Sequence, residues 1–399
     1  MHVGRSRVIT APTRWDAVIA LLALVLLVTG FYLVSTLGMQ ALRSSDTDTT
    51  TGPGVLPTLV YKAPDTVPTT ADYGPVGPIA MVFAGTDVRT GLTGEQENPW
   101  IAISSHTGDY RALSAPHLPE AMADGIAVSA DGETLAWGYA DGIVVYDAVQ
   151  DEAREVGAYL CAEPVVGSFS PDGSQLSVYD GQLHVLAVDS GELVATLSGV
   201  SEQSADQAVW APDGASLTYV RDGQLVSHAW KSGERAEVPA PVSTDATLAW
   251  QPSGKQIAAL TETRGVKRVN VFDVNAQGRL SLAHTVQPQG YAQQQLIGYI
   301  SDTQVAVTAL RLETGPIELL YEMSTVDDSA PTELVQLPGA GLNWAGTETM
   351  EVPTEPMIWG SQDYDEPHWP WSHLSKLVAS IVVSIFLLGV YFTRPLRQQ

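Results

Sequence analysis

The residues whose types could do chemistry in this chain are seven Asp-Gly pairs, eight histidines and one cysteine. Repeated carboxylates are the raw material of calcium loops. An EF-hand, however, needs acidic ligands at alternate positions of its loop, and none of the pairs at Asp124, Asp131, Asp141, Asp172, Asp180, Asp213 and Asp222 has them. Each pair reads instead as a hairpin turn, in which Asp bonds to nearby backbone and Gly takes a positive φ. Metal sites need clustered His, Cys, Asp or Glu, whereas His106, His117, His184, His228 and His284 are scattered along the chain. His368 and His373 flank a terminal apolar run and read as interfacial polar groups. A serine hydrolase would carry Gly-x-Ser-x-Gly on a sharp turn, and no such pentapeptide occurs. No Cys-x-x-Cys-His offers haem attachment, and Gly339-Ala340-Gly341 lacks the helix of a phosphate cradle. Lone Cys161, in Tyr-Leu-Cys-Ala, reads as a small apolar core residue. The expectation is therefore no catalytic residue, no metal and no cofactor.

The turns matter because of where they fall. Ser129-Ala130-Asp131-Gly132, Ser170-Pro171-Asp172-Gly173, Ala211-Pro212-Asp213-Gly214 and Gln251-Pro252-Ser253-Gly254 place glycines at 132, 173, 214 and 254, in steps of 41, 41 and 40. A period of about 40–45 residues with β patterning is the mark of a propeller blade. The residues singled out as structural blade turns are thus Asp131, Gly132, Pro171, Asp172, Gly173, Pro212, Asp213, Gly214, Pro252 and Gly254. Asp147, Asp189 and Asp273 end corresponding strands, which repetition explains better than a catalytic pair does.

Each turn sits between apolar, alternating segments. In Val165–Ser198 the strands read VVGSFS, SQLSVYD, QLHVLAVD and ELVATLS, and the same order restarts near 125, 207 and 247. Degenerate copies restart near 296 and 341, with Ser301-Asp302-Thr303 and Ala345-Gly346 at the turn position. Pro78–Ala84, Trp100–Ser104 and Tyr110–Ser114 look like second, third and fourth strands lacking a first. The simplest closure gives them the last inner strand, which removes free sheet edges. That makes six blades, or seven if Thr349–Pro353 and Met357–Gly360 build one of their own. The pattern resembles TolB-like and WD-repeat β-propellers across roughly residues 78–360. The Trp-Asp pair of WD repeats is missing, and Val145-Tyr146-Asp147 and Val271-Phe272-Asp273 stand there. The resemblance implies a docking platform, an exported interaction domain or a peptidase lid; too little chain is left over for a peptidase domain. A calcium in the central channel stays open.

Two apolar segments flank the repeats. Ala17–Met39 is 23 residues without a charge, enough at about 1.5 Å per residue to span a bilayer core of about 30 Å. It exceeds the apolar region of a signal peptide, and Met39-Gln40-Ala41 is a poor cleavage site, so it reads as an uncleaved anchor. The second, 374–392, is preceded by Trp369 and Trp371, which fit the interfacial aromatic belt. Arg5, Arg7, Arg14, Arg394 and Arg397 lie on one side of these segments and Arg43 and Lys376 on the other. The positive-inside bias puts both termini in the cytoplasm.

The expected plan is a cytoplasmic tail (1–16), a transmembrane helix (17–39), an extended Pro/Thr-rich extracytoplasmic linker (40–77), the propeller (78–360), an acidic, aromatic membrane-proximal segment (361–373), a second transmembrane helix (374–392) and a cytoplasmic tail (393–399). Within 44–373, 13 basic and 44 acidic residues leave a net charge of −31. Such a field repels nucleic acid and anionic lipid surfaces and attracts cationic partners. Asn98, Asn270, Asn275 and Asn343 form no glycosylation sequon, which agrees with a bacterial exported protein. The fold class expected is an all-β propeller flanked by two transmembrane helices in a bacterial cell membrane. Its expected role is a non-catalytic docking module for a protein partner in or near that membrane; the alternative is a sensor or enzyme using the central channel.

Overall fold

The computed structural model describes residues 54–359, apart from 56–58, 61–65, 86–87, 91–95, 120–124, 141, 158–159, 161–163, 240–241, 264–265, 276–279, 287–290, 312–316, 328–329, 337–341, 345–349 and 352–357. All of these belong to one compact unit, Thr50–Pro367. The apolar segments 17–39 and 374–392, with Trp369 and Trp371, lie outside the described residues, as do Cys161, His368, His373 and Gly339–Gly341. Among the described residues no helix is long and apolar enough to cross a membrane.

The repeats fold into blades of consecutive antiparallel strands. Blade 2 holds Ile126–Val128, Thr134–Tyr139, Gly142–Asp147 and Glu152–Val156; blade 3 holds Val165–Phe169, Gln175–Tyr179, Leu183–Ala187 and Leu193–Leu197. Blade 4 holds Val209–Trp210, Ser216–Arg221, Gln224–Ala229 and Glu234–Pro239. Blade 5 holds Thr247–Trp250, Gln256–Thr263, Val266–Val274 and Leu280–Val286. Blade 6 runs Tyr291–Ser301, Gln304–Arg311, Ile317–Ser324 and Thr332–Gln336. Blade 1 is composite, as expected: Leu342–Trp344 pairs with Ile79–Ala84, followed by Trp100–Ser104 and Tyr110–Ala112.

Burial explains why the middle strands are nearly all apolar. A strand inside a stack of blades is covered on both faces, so alternation gives way to continuous apolar runs. Trp100–Ser104 is buried throughout, and Gly142–Tyr146 is buried up to the exposed Asp147. Six hydrophobic clusters fill the gaps between successive blades. One joins Leu135 and Trp137 of blade 2 to Ile79 and Val82 of blade 1. Another packs Ala306 and Leu320 of blade 6 against Met81 and Phe83 of blade 1, and so closes the ring at the core as well as at the strand pairing.

The flanks build onto this ring instead of adding to its count. Ile358–Trp359 does not start a seventh blade. It joins Leu59–Val60 as a parallel pair on the outer edge of blade 6, where Leu59 faces both Gln336 and Ile358. Met350–Glu351 pairs with Gly54–Val55. Residues 66–77, which composition assigns to an extended linker, are in part ordered against blade 1. Val67 and Thr70 are fully buried, Pro68 accepts from the Ala112 amide (2.9 Å), and Thr70 Oγ1 accepts from the Ser114 amide (3.0 Å). Composition misses this because the few apolar residues that anchor the segment are diluted by Thr and Pro.

Candidate functional site

The residues singled out by their spacing close the hairpin between the first and second strands of blades 2 to 5. In blade 2 the Ser129 hydroxyl donates to Asp131 Oδ1 (2.6 Å) and accepts from the Thr134 amide (2.9 Å), while Asp131 also accepts from the Glu133 amide (3.0 Å). Blade 3 repeats this through Ser170, Asp172, the Ser174 amide and the Gln175 amide. Blade 4 has Ala211 in place of the serine, and Asp213 accepts from the Ala215 amide (2.9 Å). Blade 5 has Gln251, whose side chain accepts from Ser253 (2.6 Å) and donates to the Asp302 carbonyl in the matching turn of blade 6. Pro171, Pro212 and Pro252 occupy the second turn position, and the glycines at 132, 173, 214 and 254 have φ between +64° and +72°.

These carboxylates are engaged by their own turns. The Ser170 hydroxyl, more than any other group, holds the Asp172 carboxyl below its ordinary value. Burial, then Asp131 and Asp147, pushes the Glu133 carboxyl up. Among the described residues no three His, Cys, Asp or Glu side chains group in a way that could hold a metal. Asp124 and Asp141 lie outside the described residues.

Other polar side chains converge at the opposite ends of blades 2 to 4, across the hairpin between second and third strands. In blade 2 Tyr139 donates to Glu155 (2.9 Å), and His117 stacks on the Tyr139 ring with centroids 4.5 Å apart and reaches the same carboxylate (3.3 Å). His117 adopts φ +53°. In blade 4 Arg221 pairs with Glu237. In blade 3 His184 Nε2 meets Asp180 Oδ1 (2.7 Å) and its Nδ1 meets Thr196 Oγ1 (3.0 Å). Carboxylate, imidazole and hydroxyl stand here in the order of a hydrolase relay. His184 and Thr196 are also direct cross-strand partners, Thr196 is exposed on an outer strand, and a secondary hydroxyl in water lacks the preorganised donors that stabilise developing charge. The trio ties the outer strand to the hairpin.

A second set of ties runs between blades, and strand patterning does not reveal it. Trp210 Nε1 donates to the Ser168 carbonyl of blade 3 (3.0 Å), and Trp250 Nε1 donates to Thr218 Oγ1 of blade 4 (3.2 Å). Arg154 of blade 2 donates to the Val188 and Asp189 carbonyls of blade 3, and Arg235 of blade 4 donates to Ser198. The signal was there to read: a tryptophan stands just before the turn at 210, 250 and 344.

The outer edges of the blades differ. Blades 2 and 4 end in regular strands carrying Glu152, Arg154, Glu155 and Glu234, Arg235, Glu237. Blades 3 and 5 end in bulged strands without Asp, Glu, Lys or Arg, on which Leu193 (41%), Val194 (43%) and Leu282 (49%) are exposed.

No family model matches the chain, and no curated protein sequence matches it. Solved structures do. A hydrazine synthase from Kuenenia stuttgartiensis aligns at 17% identity and TM-score 0.40, over 50% of this chain and 62% of that one. The Cps50 (Swd1) β-propeller domain of Myceliophteria thermophila aligns at 14% and 0.45, over 66% and 88%. A protein described as TolB from Agrobacterium tumefaciens aligns at 13% and 0.42, over 68% and 92%. At such identities and TM-scores the likeness assigns neither family nor role. This chain is a six-bladed β-propeller, and that assignment stands on its own strand order and closure.

Proposed function

We propose that this protein is a two-pass propeller of a bacterial cell membrane, whose extracytoplasmic body is a non-catalytic docking platform for a protein partner in or near the same membrane. The observation that carries the reading is the pairing of Leu59–Val60 with Ile358–Trp359. The strands that lead into and out of the ring lie side by side, within the spacing of one strand pair, about 4.8 Å. The pair is parallel, so the two flanks share one edge of the body and run on from opposite ends of that pair; a shared edge suits a double tether with restricted orientation. Charge adds to this, since an acidic domain of net −31 favours cationic partners. The carboxylates with the most regular spacing are engaged by their own turns, and the Asp180–His184–Thr196 relay reaches the outermost strand of its blade, away from the channel that a sensor or enzyme would use.

Purification of the full chain in mild detergent at native expression tests the platform. The expected result is a stoichiometric protein partner, and recovery of a lone monomer sinks the reading. Topology is tested separately in a Cys161→Ser background. Arg7→Cys and Arg394→Cys should resist a membrane-impermeant thiol reagent in intact cells, and Thr49→Cys should react.

A further inference from the structure

We infer that the outer edge of blade 3, the strand Leu193–Leu197, is a docking edge for an extended segment of a partner protein that carries apolar residues on alternate positions and basic residues at its ends. The inference rests on the platform reading and names its surface. Leu193–Leu197 is last in the strand order of its sheet, so its outward row of backbone groups has no ladder partner in that sheet. Exposed edges of this kind accept a further strand unless charge, proline or a cover blunts them. Blades 2 and 4 are blunted by charge, and the strand of blade 4 also ends at Pro239. Blade 1 is covered at Ala112 by Pro68 and Thr69, and blade 6 by Leu59–Val60. Blade 3 has neither device.

Its bulge adds a recognition element. Register shifts between Val185 and Leu186, so Val194 is the extra residue. An extra residue breaks the alternation that would bury one of two neighbours, and Leu193 and Val194 are both exposed, at 41% and 43%. The outer strand of blade 5, Leu280–Val286, has the same shift but presents Leu282 alone among its large apolar residues. Blade 6 shows what such an edge takes. Its outer strand is also bulged, and it seats Leu59–Val60, an extended apolar pair followed closely by Lys62.

Charge selects the partner over a second copy of this chain. The turn before the strand presents exposed Asp189 and Glu192, and Glu202 follows it. The neighbouring arginines, Arg154 and Arg235, donate to carbonyls of blade 3 and keep their charge, so Asp189, Glu192 and Glu202 exceed them by one within a domain of net −31. A second copy would bring the same acidic groups edge to edge, and like charges repel.

The test uses the full chain in mild detergent and a labelled peptide of alternating valine and threonine with lysine at both ends, read by fluorescence anisotropy. A matched peptide with glutamate ends is the comparison. The lysine-ended peptide should bind at least about tenfold more tightly, and Val194→Lys should weaken it about tenfold, the scale of losing one anchor contact. Leu193→Lys should do the same, which guards against a folding artefact of either variant. Ala153→Lys on blade 2 and Leu282→Lys on blade 5 should leave binding unchanged. Equal affinity for both peptides, wild-type binding by both blade 3 variants, or loss in Leu282→Lys alone overturns the inference. So does a Val194-dependent dimer of the chain, which would make the second copy the occupant. A partner retained at full stoichiometry by Val194→Lys overturns the edge as the docking surface and leaves the platform standing. Peptide binding without any recoverable partner leaves the edge standing and removes the platform.

Discussion

Gly132 and Gly173 occupy the same place in successive blades, with φ of +72° and +69°. They differ in what surrounds them. A Cβ on Gly173 would meet nothing within 4 Å, whereas one on Gly132 would lie 2.1 Å from the Ile79 carbonyl oxygen. The Gly132 carbonyl also accepts from the Ile79 amide (2.8 Å), where blade 1 begins. Alanine at 173 should therefore cost only the left-handed backbone, about 1–2 kcal/mol. Alanine at 132 adds displacement of a backbone oxygen, about 1–3 kcal/mol, and damage to one hydrogen bond, about 1 kcal/mol. The total is about 4 kcal/mol. With an unfolding entropy of about 2.1 cal/mol/K per residue over a unit on the order of 300 residues, Gly173→Ala should lower Tm by about 2 °C and Gly132→Ala by about 6 °C. Intrinsic tryptophan fluorescence of the detergent-solubilised full chain follows both. Equal losses in the two variants would refute the reasoning, because the close approach between blades would then contribute nothing.

Ser170→Ala removes the largest influence holding the Asp172 carboxyl low, together with the acceptor of the Gln175 amide. It should cost about 1–2 kcal/mol at neutral pH. A depressed carboxyl stabilises above its unfolded value of 3.8 and loses that contribution as pH falls through the folded one, so urea melts should show the variant converging on wild type in acid. Burial, with Arg235 and Arg221, depresses the His228 imidazole below 6.5. The fold is then fully supported above pH 6.5 and weakens as pH drops below it, where the unfolded chain binds the extra proton. His228→Gln should flatten that slope in denaturant titrations. Trp210→Phe keeps an aromatic ring but removes the N–H bond to Ser168 and part of the buried indole, for a loss of at least about 1 kcal/mol by thermal unfolding.

The repeat was legible because each blade solves one local problem in the same way. Pro, Asp and Gly mark the hairpin, and strands covered on both faces need apolar residues in succession. Even the composite blade followed from counting, since Ile79–Ala84 lacked a first strand that Leu342–Trp344 could supply. What escaped was whatever depends on neighbours distant in sequence. Two-residue strands such as Leu59–Val60 and Ile358–Trp359 have too little length to show a period, and their partners lie at the other end of the chain. The ties from Arg154 and Arg235 reach carbonyls, which carry no residue identity for a pattern to record. The edges escaped for a related reason: alternation marks which face of a strand is buried, while a bulge rewrites it locally.

The shared first blade also sets an order of events for a chain made from its amino end. Ile79–Ala84 is synthesised early, yet its partner Leu342–Trp344 emerges only after five more blades. Until then the oldest part of the ring presents an open edge of unpaired backbone groups flanked by apolar side chains, the kind of surface on which nascent β proteins mispair. Blades 2 to 5 have no such wait, because every strand they need is contiguous. Ring closure is therefore a late, non-local event whose loop-closure entropy is borne at the end of folding. A ribosome stalled before residue 342 would leave a ladder of finished blades with both ends unsealed.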